Sequence, residues 1–274
     1  MTEEQAIKNS TRPVTRKSLA ADFSKLGITP GTTLLVHSSL SSLGWVCGGP
    51  VAVIQALLEV ITEKGTLIMP TFSEDNSDPA DWSNPAVPES WWETIRQEMP
   101  AYHPEITPVR GVGAIPETFR KFPGVKRSAH PCMSFAARGA RAAEIIADHK
   151  LDYPLNEDSP LGAIYQLEGQ VLLLGVGHDR NTSLHLAEYL ADYPRREEKN
   201  GSAIWQNGRR IWTEYLDIDL DSDDFKEVGR NYEKSCSVRV SPVGHAVARI
   251  MPQQDLVDYA VSWFSANRSE LLSE

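Results

Sequence analysis

The sequence predicts an α/β fold in which a mixed central sheet is flanked by helices and followed by a C-terminal hairpin and helices. A strand–helix–strand pattern over residues 33–69 is typical of parallel strands joined by a crossover helix. An apolar run at Val171–Val176 leads through a polar turn into an amphipathic helix that starts at Thr182. The Asn207-Gly208 pair between two short apolar stretches is a favoured turn of a β-hairpin.

The N-terminal part alternates helices and strands up to residue 69. Thr15 can cap a helix whose apolar face holds Leu19 and Phe23, and Gly27 ends it. Pro50 stands in the first turn of a second helix, whose apolar residues recur at helical spacing. The predicted elements are helix Thr15–Leu26, strand Thr33–Val36, helix Pro50–Thr62 and strand Thr66–Met69.

The segment Glu74–Pro108 has a different composition. It is dense in Pro, Asp and Trp and has little periodicity apart from a short helical piece near Trp91–Met99. This composition predicts a long excursion over the surface, of the kind that can line a site. The elements predicted after it are helix Pro116–Lys121, strand Ser134–Ala137, helix Ala140–His149 and helix Ser159–Leu167.

The C-terminal part begins with the buried strand and the helix that follows it. An acidic segment, DIDLDSDDF, lies between the predicted hairpin and the next helix. No shift in composition marks a boundary, so we expect one domain over residues 1–274, with 1–14 as a loosely ordered tail. The elements predicted here are strand Val171–Val176, hairpin strands Ala203–Trp205 and Arg210–Tyr215, helix Asp224–Lys234 and helix Pro252–Phe264.

Composition limits the classes of function. The chain has 274 residues, of which 41% are apolar, and a net charge of -10, which disfavours nucleic acid as a partner and suits a cationic small molecule. It contains no apolar run of 18 residues and no secretory signal, so we expect no membrane partner. Its three cysteines form no C-x-x-C pair, and we expect a reducing, cytoplasmic location.

The helix that starts at Thr182 carries His185 in its first turn. A histidine there can accept a proton near neutral pH, and the neighbouring N–H groups and the hydroxyls of Thr182 and Ser183 could hold an oxyanion. The alternative is a capped helix with a partly buried histidine. A serine hydrolase is disfavoured because G-x-S-x-G is absent. A metal enzyme built on His178, Asp179 and His185 is disfavoured because H-E-x-x-H is absent, so no metal is expected.

Six motifs occur in a fixed order between residues 15 and 265, and together they resemble one family. They are Val36–Leu40 with Ser42–Gly44 and Gly48–Pro50, Pro70–Phe72, Arg110–Gly113 with Pro116-Glu117, Arg127-Ser128 with His130-Pro131, Asp158–Gly162, and Thr182–Glu188. With these motifs the chain resembles the aminoglycoside 3-N-acetyltransferases, also called the antibiotic N-acetyltransferase family.

The resemblance implies an α/β fold distinct from the GNAT acetyltransferases. It implies that acetyl is moved from acetyl-CoA to the 3-amino group of the deoxystreptamine ring of aminoglycosides, which confers resistance. His185 matches the general base of the family, and an acidic residue of the C-terminal half would orient it. The chain offers Glu214, Asp217, Asp219, Asp224 and Glu227. We favour Asp217, because it ends the second hairpin strand; a solvated acidic loop is the alternative for each of them.

Small residues after a strand let backbone N–H groups approach a phosphate or the pantetheine arm, and a guanidinium matches phosphate oxygens. The alternatives are an ordinary turn, helix capping and a surface ion pair. The residues expected to bind acetyl-CoA are His37, Ser38, Ser39, Leu40, Ser42, Thr71, Arg110, Gly111, Val112, Ser128, Thr182 and Ser183.

A polycationic acceptor requires carboxylates and aromatic walls. The residues expected to contact it are Glu74, Asp75, Trp92, Glu188 and Asp192. The positive charge of Arg180, with His178 beside it, disfavours a polycation at the turn before the helix. The alternative function is therefore a CoA-binding family member that acetylates a different amine or is inactive on aminoglycosides. The expected partners are CoA and a small amine, and a homodimer is possible.

Overall fold

Residues 3–268 are described by a computed structural model. Its strands are β1 (Thr33–Ser38), β2 (Thr66–Pro70), β3 (Lys126–Arg127), β4 (Phe135–Gly139), β5 (Gln170–Leu174), β6 (Glu197–Gln206), β7 (Arg209–Ile218), β8 (Arg239–Val243) and β9 (Ala246–Pro252). Its α-helices are α1 (Glu3–Asn9), α2 (Arg16–Leu26), α3 (Gly49–Ile61), α4 (Trp92–Glu98), α5 (Ala114–Phe119), α6 (Ala142–Ile145), α7 (Pro160–Gln166), α8 (Ser183–Leu190), α9 (Phe225–Ser235) and α10 (Gln253–Asn267).

Seven strands form a mixed central sheet in the order β3-β4-β2-β1-β5-β9-β8. The central strand β1 is parallel to β2 and to β5, whereas β4 and β9 run antiparallel to their neighbours. This confirms the predicted mixed α/β fold. Because three parallel strands end at the same edge, side chains that follow β1, β2 and β5 come together there.

Each face of the sheet has its own hydrophobic layer. Leu34 and Val36 of β1 face a cluster that includes α2, α3 and α5, and Leu35 faces a cluster that includes α6 to α10. This alternation follows from the two-residue period of a strand that is covered on both sides. The second layer fixes α8, α9 and α10 against one another, which becomes important for the site.

The predicted hairpin is confirmed, with longer strands than expected. β6 and β7 pair over ten residues each around Asn207 and Gly208, both of which have positive φ. The segment between β2 and α5 carries α4 and several 3-10 turns, as its composition indicates. In this segment Asp78 forms a bidentate ion pair with Arg96. None of the helices within residues 3–268 is long and apolar enough to cross a membrane.

Three parts of the fold differ from the expectation. The segment expected to be a loosely ordered tail contains α1, and Glu3 accepts a hydrogen bond from Trp45 at 3.1 Å. The sequence analysis predicts neither β8 nor β9. β8 is an edge strand in which Pro242 and exposed residues interrupt the alternation. The helix predicted to continue to His149 ends at Ile145.

His149 leaves the helix because its ring is used in a buried polar cluster. Its Nδ1 contacts the Ser128 hydroxyl at 2.8 Å and its Nε2 contacts the Pro154 carbonyl at 2.7 Å. The stacked His130 ring accepts from the Met133 N–H at 2.9 Å. Burial lowers the pKa of His130 to about 3 and that of His149 to about 4, so both rings are neutral in the folded protein.

We therefore expect acid to destabilise the protein through these two histidines. Each has a folded pKa below its unfolded value of 6.5, so its contribution to stability is present above that value and is lost as the pH falls towards 4. Between pH 7.5 and 5 the loss is roughly 2 kcal/mol per histidine. The measurement is the free energy of unfolding in denaturant for wild type and His149→Gln.

Glutamine can keep the contacts with Ser128 and Pro154 without titrating, so the variant isolates this contribution from groups that titrate in both proteins. The acid-induced loss should be smaller in His149→Gln than in wild type. Equal pH dependence in the two proteins would contradict the account.

Candidate active site

A cleft of about 620 Å³ opens where β1, β2 and β5 end. Its walls come from the ends of these strands, the loop before α5, the turn after β5, and the start of α8 and α9. The lining residues are 36–41, Pro70, Phe72, Glu74, 111–114, Pro116, Val176, 179–182, His185, Ser222 and Phe225. The cleft thus combines most of the chemically useful segments that the sequence singled out.

His185 projects from the first turn of α8 into this cleft. Its Nδ1 lies 2.5 Å from Oε2 of Glu188, one turn further along the helix. The His185 side chain is 19% exposed and Glu188 is fully buried. Phe225 packs on the ring at a centroid distance of 4.8 Å. Within residues 3–268 no protein group hydrogen-bonds the other ring nitrogen, Nε2, which leaves it available to a ligand in the cleft.

The second oxygen of Glu188 is held from behind. Its Oε1 accepts from Nη1 of Arg268 at 2.6 Å and from the Asp221 N–H at 3.0 Å. Arg268 also donates twice to Asp224, at 2.8 and 2.6 Å. These carboxylates raise the pKa of Arg268, so the guanidinium stays charged although it is buried. His185, Glu188, Arg268 and Asp224 thus form a continuous chain of hydrogen-bonded side chains.

The structure pairs His185 with Glu188, which we expected to contact substrate, and not with Asp217, which we expected to orient His185. Glu188 is fully buried and does not line the cleft. Asp217 lies in β7 and accepts hydrogen bonds from the Tyr189 hydroxyl and from the Ile218 N–H. Burial raises its pKa to about 6. The signal for Glu188 was present in the sequence, because residues three apart on a helix are neighbours.

The start of α8 offers fewer free hydrogen-bond donors to the cleft than the sequence suggested. The N–H groups of Ser183 and Leu184 bond to Asn181, and that of His185 bonds to Thr182. The Ser183 hydroxyl is buried and accepts from Gln253 at 3.1 Å. Ser183 therefore lies outside the cleft, and Thr182 is the member of the pair that lines it.

Two backbone segments face each other across the cleft. One is the end of β1 with the turn that follows, including His37, Ser38, Ser39 and Leu40, and the other is Gly111–Gly113. The Ser38 hydroxyl is buried and has no hydrogen-bond partner among the described residues, and the same holds for Nε2 of His37. Burial lowers the pKa of His37 to about 3, so its ring is neutral.

The loop Gly111–Gly113 is shaped by glycine. Gly111 and Gly113 both have positive φ, a conformation that side chains rarely adopt. A Cβ on Gly111 would lie 3.0 Å from Oε1 of Glu74. The loop therefore presents backbone to the cleft. The orphaned Ser38 hydroxyl opposite it and this bare backbone fit an extended, amide-containing ligand arm.

Besides Ser183, four residues expected to bind the cofactor lie outside the cleft. Ser42 donates to the Gly175 carbonyl and lines a second cleft. Thr71 and Ser128 are buried and bond to Ser134 and His149. The Arg110 guanidinium contacts Asp75 at 2.5 Å in an exposed ion pair. In this structure these side chains support the strands and loops around the cleft instead of lining it.

The expected acidic wall is present only in part. Glu74 lines the cleft, and burial together with the neighbouring Asp75 raises its pKa. Trp92 lies on α4 beside Arg96, and Asp192 is exposed after α8; neither lines the cleft. Sequence reasoning did not assign Asp179 to this wall, although it adjoins Arg180 at the mouth of the cleft.

His178 and His185 line different clefts. His178 lies in the second cleft, where its Nε2 contacts Glu233 at 3.0 Å, and Gly229 packs directly against its ring. Within residues 3–268 no three His, Cys, Asp or Glu side chains gather as metal ligands would. The three residues considered for a metal enzyme are thus not brought together.

The revised pairing predicts opposite outcomes for two conservative variants. Glu188→Gln should lower kcat at least about tenfold, because the neutral amide no longer stabilises a protonated His185. Asp217→Asn should keep wild-type kcat, because Tyr189 can still donate to the amide oxygen. Above pH 6 Asp217→Asn should also be no less stable than wild type, since the raised pKa of Asp217 means that its ionised form is unfavourable.

Steady-state kinetics and unfolding at pH 8 measure both effects. A loss of kcat in Asp217→Asn as large as that in Glu188→Gln would restore Asp217 as the partner of His185.

Comparison with known proteins identifies the family. Residues 35–265 match the family model described as aminoglycoside 3-N-acetyltransferase. The chain is 46% identical to the SPbeta prophage-derived aminoglycoside N(3')-acetyltransferase-like protein YokD of Bacillus subtilis, over 97% of this chain and 98% of that one. It is 37% identical to aminoglycoside N(3)-acetyltransferase VII of Streptomyces paromomycinus, over 96% of each chain.

Solved structures agree. The crystal structure of YokD superposes with a TM-score of 0.96 at 45% identity, covering 97% of this chain and 99% of that one. AAC-IIIb in a binary complex with CoASH gives 0.84 at 30% identity, covering 94% and 99%. AAC-VIa bound to sisomicin gives 0.86 at 29% identity, covering 94% and 100%. The chain therefore belongs to the aminoglycoside 3-N-acetyltransferase family and is an acyltransferase.

Proposed function

We propose that this protein transfers an acetyl group from acetyl-CoA to the 3-amino group of the deoxystreptamine ring of aminoglycosides, in a ternary complex, and thereby confers resistance. The observation that carries the proposal is the His185–Glu188 pair at the cleft. Support comes from the relatives, one of which binds CoASH and another sisomicin. Acetyl-CoA would supply the acyl group as a thioester. The residues described below would bind the two substrates and accept the proton of the amine.

His185 is the general base in this proposal. An ammonium is not a nucleophile, so the acceptor amine must give up a proton as it attacks. The contact between Nδ1 and Glu188 favours the tautomer in which Nδ1 carries the hydrogen, which leaves the Nε2 lone pair for the amine proton. Once protonated, the imidazolium is stabilised by the buried carboxylate.

The two facing backbone segments would hold the pantetheine arm. Ser38 and Gly111–Gly113 contribute a hydroxyl without a partner and exposed backbone, both suited to the amides of such an arm. Thr182 lines the cleft one turn before His185, and its hydroxyl is our candidate for stabilising negative charge on the thioester oxygen. Arg110 could serve a phosphate only by giving up its contact with Asp75.

Carboxylates at the cleft would receive the cationic acceptor. Glu74 and Asp179 line it, and Glu74 has no ion-pair partner within the described residues. A nearby cation would favour the ionised form of Glu74, so acceptor binding would offset the burial of this carboxylate.

A second candidate function is acetylation of a different amine. It is favoured by Arg180, whose side chain is 69% exposed and lines the same cleft. Its positive charge opposes a polycation more than it opposes an amine with a single charge. Both functions use the same base and the same cofactor.

The direct test is acceptor-dependent release of the CoA thiol from acetyl-CoA, with gentamicin, tobramycin, apramycin and no acceptor. We expect release only with an aminoglycoside. His185→Ala should lower the rate at least about 10²-fold, because it removes the base, and should leave CoA binding unchanged by calorimetry. Wild-type turnover in His185→Ala would remove His185 from the mechanism. CoA binding without release for any acceptor would support the second candidate function.

Aminoglycoside affinity should weaken as salt is added, because the carboxylates of the cleft are only partly buried and their attraction for a cation is screened. Glu74→Gln should bind more weakly and show a shallower salt dependence. Calorimetric titrations at three salt concentrations measure both. Gln97→Glu, which adds a charge on α4 away from the cleft, is the matched control. An affinity independent of salt would contradict recognition by an acidic wall.

A further inference from the structure

Arg268, which lies behind Glu188, uses its whole guanidinium group for hydrogen bonds. All five N–H donors of Arg268 have acceptors: Glu188, the Tyr193 hydroxyl, the Asp221 carbonyl, and both oxygens of Asp224. The guanidinium also lies 4.0 Å from the centroid of the Phe264 ring. A planar guanidinium whose donors are all used can adopt one orientation only. Arg268 lies beyond residues 35–265, which match the family model.

These contacts fix the orientation of the Glu188 carboxylate. Its Oε1 is held by Arg268 and by the Asp221 N–H, and its Oε2 faces His185. A carboxylate fixed at one oxygen by two donors presents its other oxygen in one direction. The orientation of the His185 ring therefore depends on a residue more than eighty positions further along the chain.

The same arginine also fixes a wall of the cleft. Segment 221–225 is bound to Arg268 through the Asp221 carbonyl and the Asp224 carboxylate, and to Glu188 through the Asp221 N–H. Ser222 and Phe225 of this segment line the cleft, and Phe225 packs on the His185 ring. One guanidinium thus holds both the carboxylate below the ring and the wall beside it.

We infer that Arg268 is a positioning residue for His185, which it orients through Glu188 and through the cleft wall 221–225. The inference rests on the proposed role of His185 as base. Arg268 itself does not line the cleft, so it acts on the reaction only through these neighbours.

The charges around the pair give this role a distinctive signature. The titratable groups that face it are Arg268 and Asp224 behind Glu188, Arg195 at the Glu188 carbonyl, Tyr193 beside Arg268, Tyr189 with Asp217, and the neutral His37 across the cleft. Arg268 contacts the Glu188 carboxylate directly, whereas Arg195 donates to the Glu188 backbone carbonyl. Arg268 therefore weakens the attraction of the Glu188 carboxylate for a proton on His185. Removing Arg268 should tighten proton binding, whereas neutralising Asp224 should loosen it.

The experiment compares Arg268→Met, Arg268→Lys and Asp224→Asn in the full-length protein. Arg268→Met should lower kcat at least about tenfold, leave the KM for acetyl-CoA unchanged, and move the acid limb of kcat/KM to higher pH by about one unit. Asp224→Asn should move that limb to lower pH. Arg268→Lys keeps the positive charge but loses the planar guanidinium, so kcat should fall while the acid limb of kcat/KM stays at nearly the same pH.

Arg120→Lys is the matched control. Arg120 is another buried arginine, 4% exposed, and it makes a bidentate pair with Glu117 far from His185. Its replacement should lower stability and leave the pH profile unchanged. A purely structural role for Arg268 predicts the same pattern for Arg268→Met. Shifts of Arg268→Met and Asp224→Asn in the same direction, or none in either, would overturn the inference.

A second readout does not need turnover. The ¹⁵N resonances of the His185 ring, assigned with His185→Gln, report the pH at which the ring takes up its proton. That pH should rise in Arg268→Met and fall in Asp224→Asn. If wild type releases no CoA with any acceptor, the proposed function fails, and this titration still decides the role of Arg268. If Arg268→Met does not fold, Arg268→Lys and Asp224→Asn decide it.

Discussion

The hydrogen bond between His185 and Glu188 is the contact on which the rest of the site depends. It places a buried carboxylate under an imidazole that opens into the cleft. Burying a carboxylate is costly unless it is paired and hydrogen-bonded, and Arg268 and the Asp221 N–H meet that requirement. The packing of α8, α9 and α10 on one face of the sheet brings these groups together.

The central sheet gives this pair its place. Three parallel strands end at one edge, and the chain leaves β5 through a short turn into α8, so that His185 reaches the same edge as Ser38 and Glu74. The facing loop Gly111–Gly113 completes the cleft with backbone rather than side chains. His185, Glu74 and the backbone of Gly111–Gly113 thus come from segments far apart in sequence that meet at a single edge of the sheet.

Local patterns were enough to predict the mixed α/β fold, the β1–α3–β2 unit and the position of His185 in the first turn of its helix. They were not enough for the partner of His185. Glu188 shares a helix face with His185, but whether that face turns to core or solvent depends on Arg268, eighty residues away. Likewise β8 escaped detection because an edge strand with Pro242 lacks the alternation that a buried strand shows.

The central claim is that the cleft delivers an acceptor amine to His185. A crystal structure of the protein with CoA and an aminoglycoside tests it most directly. The account predicts the acceptor amine within about 3 Å of His185 Nε2, and the CoA arm between Ser38 and Gly111–Gly113. An aminoglycoside bound elsewhere, for instance in the second cleft beside His178, with His185 Nε2 facing solvent, would contradict it.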